Sequence, residues 1–490
     1  MKSIKILSLL LALLFAVSLF AACAGKNPGG ETGSTTAAAA PDSTPAPVET
    51  DPVDENGYLL DDLPVLNYGS TDFNLFTWSN QTQWEWSQDE VTTGDLIKDA
   101  IVKRQIAVED RMGIKLVVSS QNGDWDHRNS FIDTVYNSTQ SGGTEAFDLI
   151  GQYTPAAAIG AMRGCYTNLA EVKYLDLKKP WWPEDIYTSS SINGKVYSVA
   201  GDISPTLIRN MVCLLTNLSL AKDLNMPNFY ELVENQTWTA ETFLTYGTGT
   251  VTGLNASGGT AHTTTMPNNV VYDNLFYAGG FRFVERNDEK GLILSEDLKS
   301  SKIADWFDLW LDFWNKEDTA VIAINAAGGF TSGEVLFHFG SIADVQNYLQ
   351  DITFDFGILP YPKFDENQDD YVTICGYWVS LYSIPVNAPD FDKSGAVLEC
   401  LGSYGYRYVT PVVYNVAFEY RYLNSPENSK IFNLLHDTLV FEPGRTFCDQ
   451  INCFSGFRQA AGQSESWAKY YQSNSRIWDK NIQAIVKQLG

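Results

Sequence analysis

An α/β fold built as two domains is what this sequence predicts. Three observations carry the expectation. From Tyr58 onward the pattern alternates strand, helix, strand, helix, which implies a parallel sheet. Composition is globular, with 44% hydrophobic residues. The roughly 430 residues after position 56 exceed one ordinary core.

Ahead of that body lie two segments of a different kind. Lys2 and Lys5 precede an apolar run from Ile6 to Phe20, too short and too N-terminal for a core helix, so residues 1–22 read as an export signal. Ala21, Ala22 and Cys23 resemble the lipobox of bacterial lipoproteins, with Phe20 standing where Leu is usual. The resemblance implies lipid attachment at Cys23; an ordinary secretory signal cut nearby is the alternative, and both export the chain. Residues 23–56 are rich in Gly, Ser, Thr, Ala and Pro with acidic residues toward the end, the composition of a flexible tether.

In the body, Phe73 to Trp78 reads as a buried strand. Leu96 to Met112 reads as a helix with Ile97, Ile101, Val108 and Met112 on one face and Gly113 as its stop. Ile114 to Ser119 is the next strand, Phe131 to Tyr136 lies in a helix, and Phe147 to Ile150 is a third strand. Asn193 and Gly194 suit a tight turn, and Lys195 to Ala200 alternate as a half-buried strand that ends on Gly201 and Asp202. Ile303, Phe307, Trp310 and Trp314 form one helical stripe. Trp467, Tyr471, Trp478, Ile482, Ile485 and Leu489 form another, and both stripes read as packing faces.

Ligands of parallel sheets collect beyond the carboxyl ends of the strands. Beyond the first strand stand Trp78, Trp84 and Trp86 among polar residues; beyond the second, Asp124 and Trp125; beyond the third, Gln152 and Tyr153. Flat aromatic faces interleaved with amides and carboxylates suit a pyranose ring, which offers an apolar C–H face and a rim of hydroxyls. Arg282 in GGFRF and the pair Tyr377 and Trp378 in CGYWVS are further candidates. Neighbouring strand residues point to opposite sides, so one of that pair faces a ligand while the other packs inward.

Other chemistries find no support. The net charge of −26, more negative once Lys2 and Lys5 leave, disfavours nucleic acid and anionic lipid as partners. Asp365, Asn367 and Asp369 begin like a calcium loop, but Asp370 stands where glycine is required. Gly247, Gly249 and Gly253 lack dinucleotide spacing, and the four histidines fall in no metal or triad pattern, so no metal or cofactor is expected. Of seven cysteines, Cys165, Cys213, Cys375 and Cys400 sit in apolar runs, while Cys448 and Cys453 are a local disulfide or two free thiols.

The ordered series FDLIGQY, MRGCYTNL, PWWPEDI, INGKVYSVAGD, LLTNLSLAKDL and NQTWTAETF, then FTSGEVLFHFG, FDFGILPYPK and CGYWVSLYSIPVNAPDFDKSGAVLECL, resembles extracellular solute-binding proteins of carbohydrate ABC importers. The resemblance implies a periplasmic-binding-protein-like fold of two α/β lobes joined by crossing hinge segments, with a ligand cleft between them. Residues 57–205 with 360–412 would form the first lobe, and 206–359 with 413–490 the second. Crossings are expected near 201–211, 359–363 and 409–414, with Asp202 facing the cleft from the hinge side. The implied function is capture of a sugar and delivery to membrane permease subunits. It would be exercised by a monomer lipid-anchored at the outer face of the bacterial cytoplasmic membrane, without catalysis. A tethered glycoside hydrolase or lyase, needing two carboxylates about 5 to 9.5 Å apart, and a glycan-binding adhesin are the alternatives.

Overall fold

The local signals between Tyr68 and Tyr153 translate directly into structure. In this computed structural model the described residues are 52–87, 94–140, 146–185, 191–249, 251, 261–265, 269–315, 321–322, 326–349, 352–419, 425–453 and 456–490. The export signal, Cys23 and nearly all of the tether lie outside them. Strand β1 (Thr71–Trp78) is followed by helix α1 (Leu96–Met112), strand β2 (Ile114–Gln121), helix α2 (Arg128–Gln140), strand β3 (Leu149–Tyr153) and helix α3 (Thr154–Met162). Asp95 caps α1 by accepting from the amides of Ile97 and Lys98 at 3.0 and 3.2 Å. Gly113 closes it in the left-handed region at φ 60°, where glycine carries no Cβ penalty. Those two signals set the helix ends, and they agree with the expected bounds.

β1 pairs in parallel with both β2 and β3, and the sheet is completed from far along the chain. Strand β11 (Ser380–Ser383) runs antiparallel beside β3, giving the order β11-β3-β1-β2. The expected strand from Lys195 to Ala200 does not form as a regular element. Asn193 and Gly194 do turn with positive φ, but the segment makes only isolated bridges, Lys195 with Ile192 across the turn and Val199 with Tyr382 of β11. The Val196 amide goes instead to the Asn168 side chain at 2.9 Å, so the ladder has no partner to extend along.

After residue 200 the chain builds a second sheet. Strands β4 (Val212–Asn217), β5 (His262–Thr265), β8 (Val321–Ile322), β9 (Val335–Ser341) and β10 (Phe356–Leu359) take the order β10-β4-β9-β5-β8, and β6 (Val284–Asn287) with β7 (Gly291–Leu294) forms a separate hairpin. Helix α4 (Ser301–Asn315) packs its predicted stripe inward: Ile303, Phe307, Trp310 and Trp314 are all buried. Trp310, Phe243, Phe337 and Phe339 meet there at ring separations of 5.1 to 5.8 Å, an aromatic core edge to face in several pairs.

Helices α5 (Phe391–Tyr404) and α6 (Thr410–Glu419) follow β11, and the C-terminal part ends in α7 (Cys448–Ile451) and α8 (Trp467–Leu489). α8 buries Trp467, Trp478, Ile482, Ile485 and Leu489, as its stripe predicts. It packs against β7, α4 and α7, and it also touches α3 beside the first sheet. Both sheets belong to one compact unit, Asp51–Gly490. Cys448 and Cys453 are free and buried. No helix among the described residues is long and apolar enough to cross a membrane.

Candidate functional site

The carboxyl ends of β1 and β3 bring Trp78 and Tyr153 to one place, where Trp378 joins them from the segment leading into β11. The ring centroids lie 5.1 Å apart for Trp78 and Tyr153, 5.7 Å for Trp78 and Trp378, and 6.2 Å for Tyr153 and Trp378. Trp78 is fixed from below, its indole N–H donating to Ser380 Oγ at 2.7 Å. Trp78 and Tyr153 are buried, whereas Trp378 is 45% exposed and presents a free aromatic surface. Tyr377 turns the other way and is buried with the Arg445 guanidinium 3.9 Å over its ring. Arg445 also donates to the Cys375 carbonyl at 2.6 Å, so a buried cation braces the segment that carries Trp378.

Charged groups surround this cluster. Burial pushes the Tyr153 hydroxyl up in pKa, as do the nearby Cys448 and Asp449, while Arg445 and Arg128 oppose the rise. Arg128 lies over the Trp125 ring at 3.7 Å and pairs with Asp449 at 2.9 Å. Asp124 accepts from Asn80 at 3.3 Å and meets His127 Nδ1 at 2.6 Å; the hydrogen bond from His127 holds its carboxyl below the usual range. Trp84 stacks under Arg209 at 3.6 Å. Arg209, Arg445 and Asp449 carry no mark in the sequence of belonging here. Only Arg128, inside QNGDWDHR, falls in a stretch that strand-end reasoning singles out.

Two other candidates turn inward. Trp86 donates to the Tyr382 hydroxyl at 3.1 Å and lies beneath Arg104 at 4.6 Å. Tyr382 in turn donates to the buried Glu85 at 2.9 Å, and burial raises the pKa of that carboxyl. Gln152 has both ends of its amide occupied, donating to Ser383 Oγ at 3.0 Å and accepting from Tyr166. These side chains are spent on Tyr382 and Ser383 of β11, which joins the first sheet as an edge strand beside β3.

Asp202 sits where chain segments cross between the sheets. Its amide donates to the Trp181 carbonyl at 3.0 Å and its Oδ1 accepts from Thr410 at 2.5 Å. Burial raises its carboxyl to about 6, with the Thr410 hydrogen bond and His436 opposing. Beside it the chain approaches itself closely: a Cβ on Gly201 would lie 2.2 Å from the Trp181 carbonyl oxygen, and one on Gly405 would lie 2.0 Å from that of Asp202. The outgoing segment is also bonded to the returning one. Gly376 donates to the Asn210 carbonyl at 2.8 Å, Asn210 to that of Trp378 at 3.0 Å, and Ser204 to that of Ser380 at 3.0 Å. Leu359 to Thr373 remains beside the second sheet, with the Ala240 amide on the Lys363 carbonyl at 2.9 Å.

Arg282 lies elsewhere. It lines a cleft of about 950 Å³ together with Trp182, Asp185, Tyr371 and His436. The structure therefore brings together Trp78, Tyr153 and Trp378, rims them with Trp125 and its arginine, and leaves Arg282 in a separate groove.

Known proteins fix the class. No curated protein matches the sequence. Among solved structures the chain is similar to the galacto-N-biose-/lacto-N-biose I-binding protein of the ABC transporter from Bifidobacterium longum, at 10% identity and TM-score 0.56, covering 86% of this chain and 98% of that one. It is similar to the cyclic alpha-maltosyl-1,6-maltose binding protein from Arthrobacter globiformis, at 13% identity and TM-score 0.54, over 86% and 100%. It is also similar to UgpB from Mycobacterium tuberculosis, solved with glycerophosphocholine, at 14% identity and TM-score 0.54, over 86% and 100%. At these identities the likeness establishes the fold. The family of bacterial extracellular solute-binding proteins matches residues 109–402, more than half of the sequence. Two sheets joined by bonded crossings, with aromatic rings gathered at the strand ends of the first, thus belong to a member of the bacterial extracellular solute-binding protein family.

Proposed function

We propose that the chain captures a carbohydrate, an oligosaccharide, between its two lobes and delivers it to the permease subunits of an ABC importer. The observation that carries this reading is the cluster of Trp78, Tyr153 and Trp378 at the carboxyl ends of the first sheet, with Trp378 exposed. A half-exposed indole backed by two buried rings offers a rigid apolar platform for the C–H face of a sugar, and the polar side chains around it can read hydroxyls. Two of the similar solved proteins are named for the oligosaccharides they bind.

In this reading the first lobe is residues 57–205 with the segment that includes β11 and α5, and the second is 206–374 with 413–490. The returning crossing lies at Cys375 to Val379, where hydrogen bonds to Asn210 and Ser204 begin. Closure is a shift between open and closed populations, so the ligand must bind the closed form better. Family membership places the protein outside the cytoplasm. Attachment through a lipid on Cys23 and action as a monomer complete the proposal, and the role is binding without catalysis. Asp124 and Asp202, the carboxylates that a hydrolase would recruit, are engaged by His127 and Thr410.

A thermal-shift screen of the protein against mono- and oligosaccharides, with the sugars recovered and analysed, tests this. A ligand at about a hundred times its Kd adds about 2.7 kcal/mol of stability, a shift of several degrees. One sugar class should raise the midpoint and emerge intact. Recovery of cleaved sugar would make the protein an enzyme, and a shift with glycerophosphodiesters or peptides alone would remove the carbohydrate assignment.

A further inference from the structure

We infer that Arg128 and Asp449 form a latch that holds the two lobes together at the aromatic site, with Trp125 as the platform that presents the arginine. The inference rests on the reading of the chain as a two-lobed capture protein. Arg128 is the first residue of α2, which packs on α3 and through it on the first sheet. Asp449 lies on α7, which packs on α8 and also meets α3. That helix is tied down by Trp478 donating to the Asn452 carbonyl at 2.9 Å and Asn481 to that of Ile451 at 3.0 Å. Within the lobe bounds proposed above, the base belongs to residues 57–205 and the acid to residues 413–490.

The geometry of the pair is specific. Arg128 Nε lies 2.9 Å from Asp449 Oδ2, the guanidinium lies 3.7 Å over the Trp125 ring, and Nη1 donates to the Trp125 carbonyl. A guanidinium is planar and weakly hydrated, so its face can lie flat on a ring while its edge pairs with a carboxylate. The two side chains are 17% and 23% exposed, which reduces screening by water while leaving salt able to reach them. One face of Trp125 is thereby occupied by Arg128. Trp125 acts as a positioning residue for the latch, and Trp378 remains the open platform. Separation of the lobes breaks the ion pair and leaves Arg128 held on Trp125, poised to re-form it.

Hydrogen–deuterium exchange on the full chain without added sugar tests the latch, because α3 lies between the first sheet and α7. In Arg128→Gln and in Asp449→Asn, amides of Thr154–Met162 and Cys448–Ile451 should exchange roughly two- to fivefold faster, the scale of one partly exposed ion pair. The double variant should exchange no faster than either single one. In the unaltered protein, about 1 M salt should produce the same acceleration. β1 and β9 should keep their protection throughout. Unchanged exchange in the two segments, additive effects in the double variant, or a general loss of protection that includes β1 and β9 would each overturn the latch. The salt series on the unaltered protein tests the ion pair even where a variant folds poorly. No sugar enters the measurement, so a failed carbohydrate screen leaves it readable. A sugar-induced thermal shift beside unchanged exchange removes the latch and keeps the capture.

Discussion

Aromatic residues crowd two regions of this molecule and do different work in each. In the second lobe Phe243, Trp310, Phe337 and Phe339 meet at 5.1 to 5.8 Å with every ring buried, and they fill a core. At the strand ends of the first sheet Trp78, Tyr153 and Trp378 make contacts of similar length, yet Trp378 keeps nearly half of its surface in solvent. Ring contact alone does not distinguish packing from recognition. The difference lies in which strand end the ring stands on and whether anything covers it. A core ring gains its free energy from burial on folding, whereas an open ring holds apolar area in reserve for a ligand.

Truncating Trp310 to alanine breaks the comparison on the folding side and should give the largest effect. Removal of a fully packed indole costs about 3 to 5 kcal/mol, seen as a lowered midpoint in denaturant unfolding; any loss of sugar affinity should follow only from the unfolded fraction. A midpoint unchanged within error would show that these rings are not the second lobe's core.

Away from both clusters, Asp202, bonded to Trp181 and Thr410, supplies a pH test. Its folded carboxyl titrates at about 6, above the ordinary value near 3.9. A group raised in the folded state contributes stability that is fully present below the unfolded value and is lost as pH rises through the folded one. The protein should thus lose roughly 2 to 3 kcal/mol from this group between about pH 4 and pH 7. Asp202→Asn keeps an acceptor for Thr410 and removes the charge, so its stability curve should be flatter across that window. Equal slopes for the two proteins would mean that Asp202 is not buried as a charge at the hinge.

The smallest effect on folding and the most specific one on function belongs to Trp378. Its alanine variant should keep its unfolding midpoint within about 0.5 to 1 kcal/mol while sugar affinity falls roughly tenfold to a hundredfold, the scale of a lost stacking platform. Isothermal titration with the sugar found in the screen measures it. If affinity is retained, the platform lies elsewhere, and the cleft lined by Arg282 and Trp182 becomes the next surface to test.

Much of the first lobe's framework was legible. The bounds of α1 follow from Asp95 and Gly113, and the strands around it from short apolar runs, because caps and periodicity act over a few residues. The packing faces of α4 and α8 were legible for the same reason. Of the candidate site, Trp78, Tyr153 and Trp378 do meet, since strand ends share an edge of the sheet. Trp86 and Gln152 misled because the strand that uses them, β11, lies more than two hundred residues away in the chain. The failed strand after Lys195 has the same origin: alternation predicts an extended segment, but only a neighbour can supply its ladder.

From the sequence came an α/β chain with aromatic residues at its first strand ends, since composition, caps and short periodic patterns act locally. Only the tertiary structure decided that Trp378 stays open while Tyr377 is braced by Arg445, that Asp202 is buried against Thr410, and that Arg128 reaches Asp449 across 321 positions of sequence. Those choices depend on which distant segments share a surface, and burial, ion pairing and raised carboxyl pKa values arise only once that surface exists.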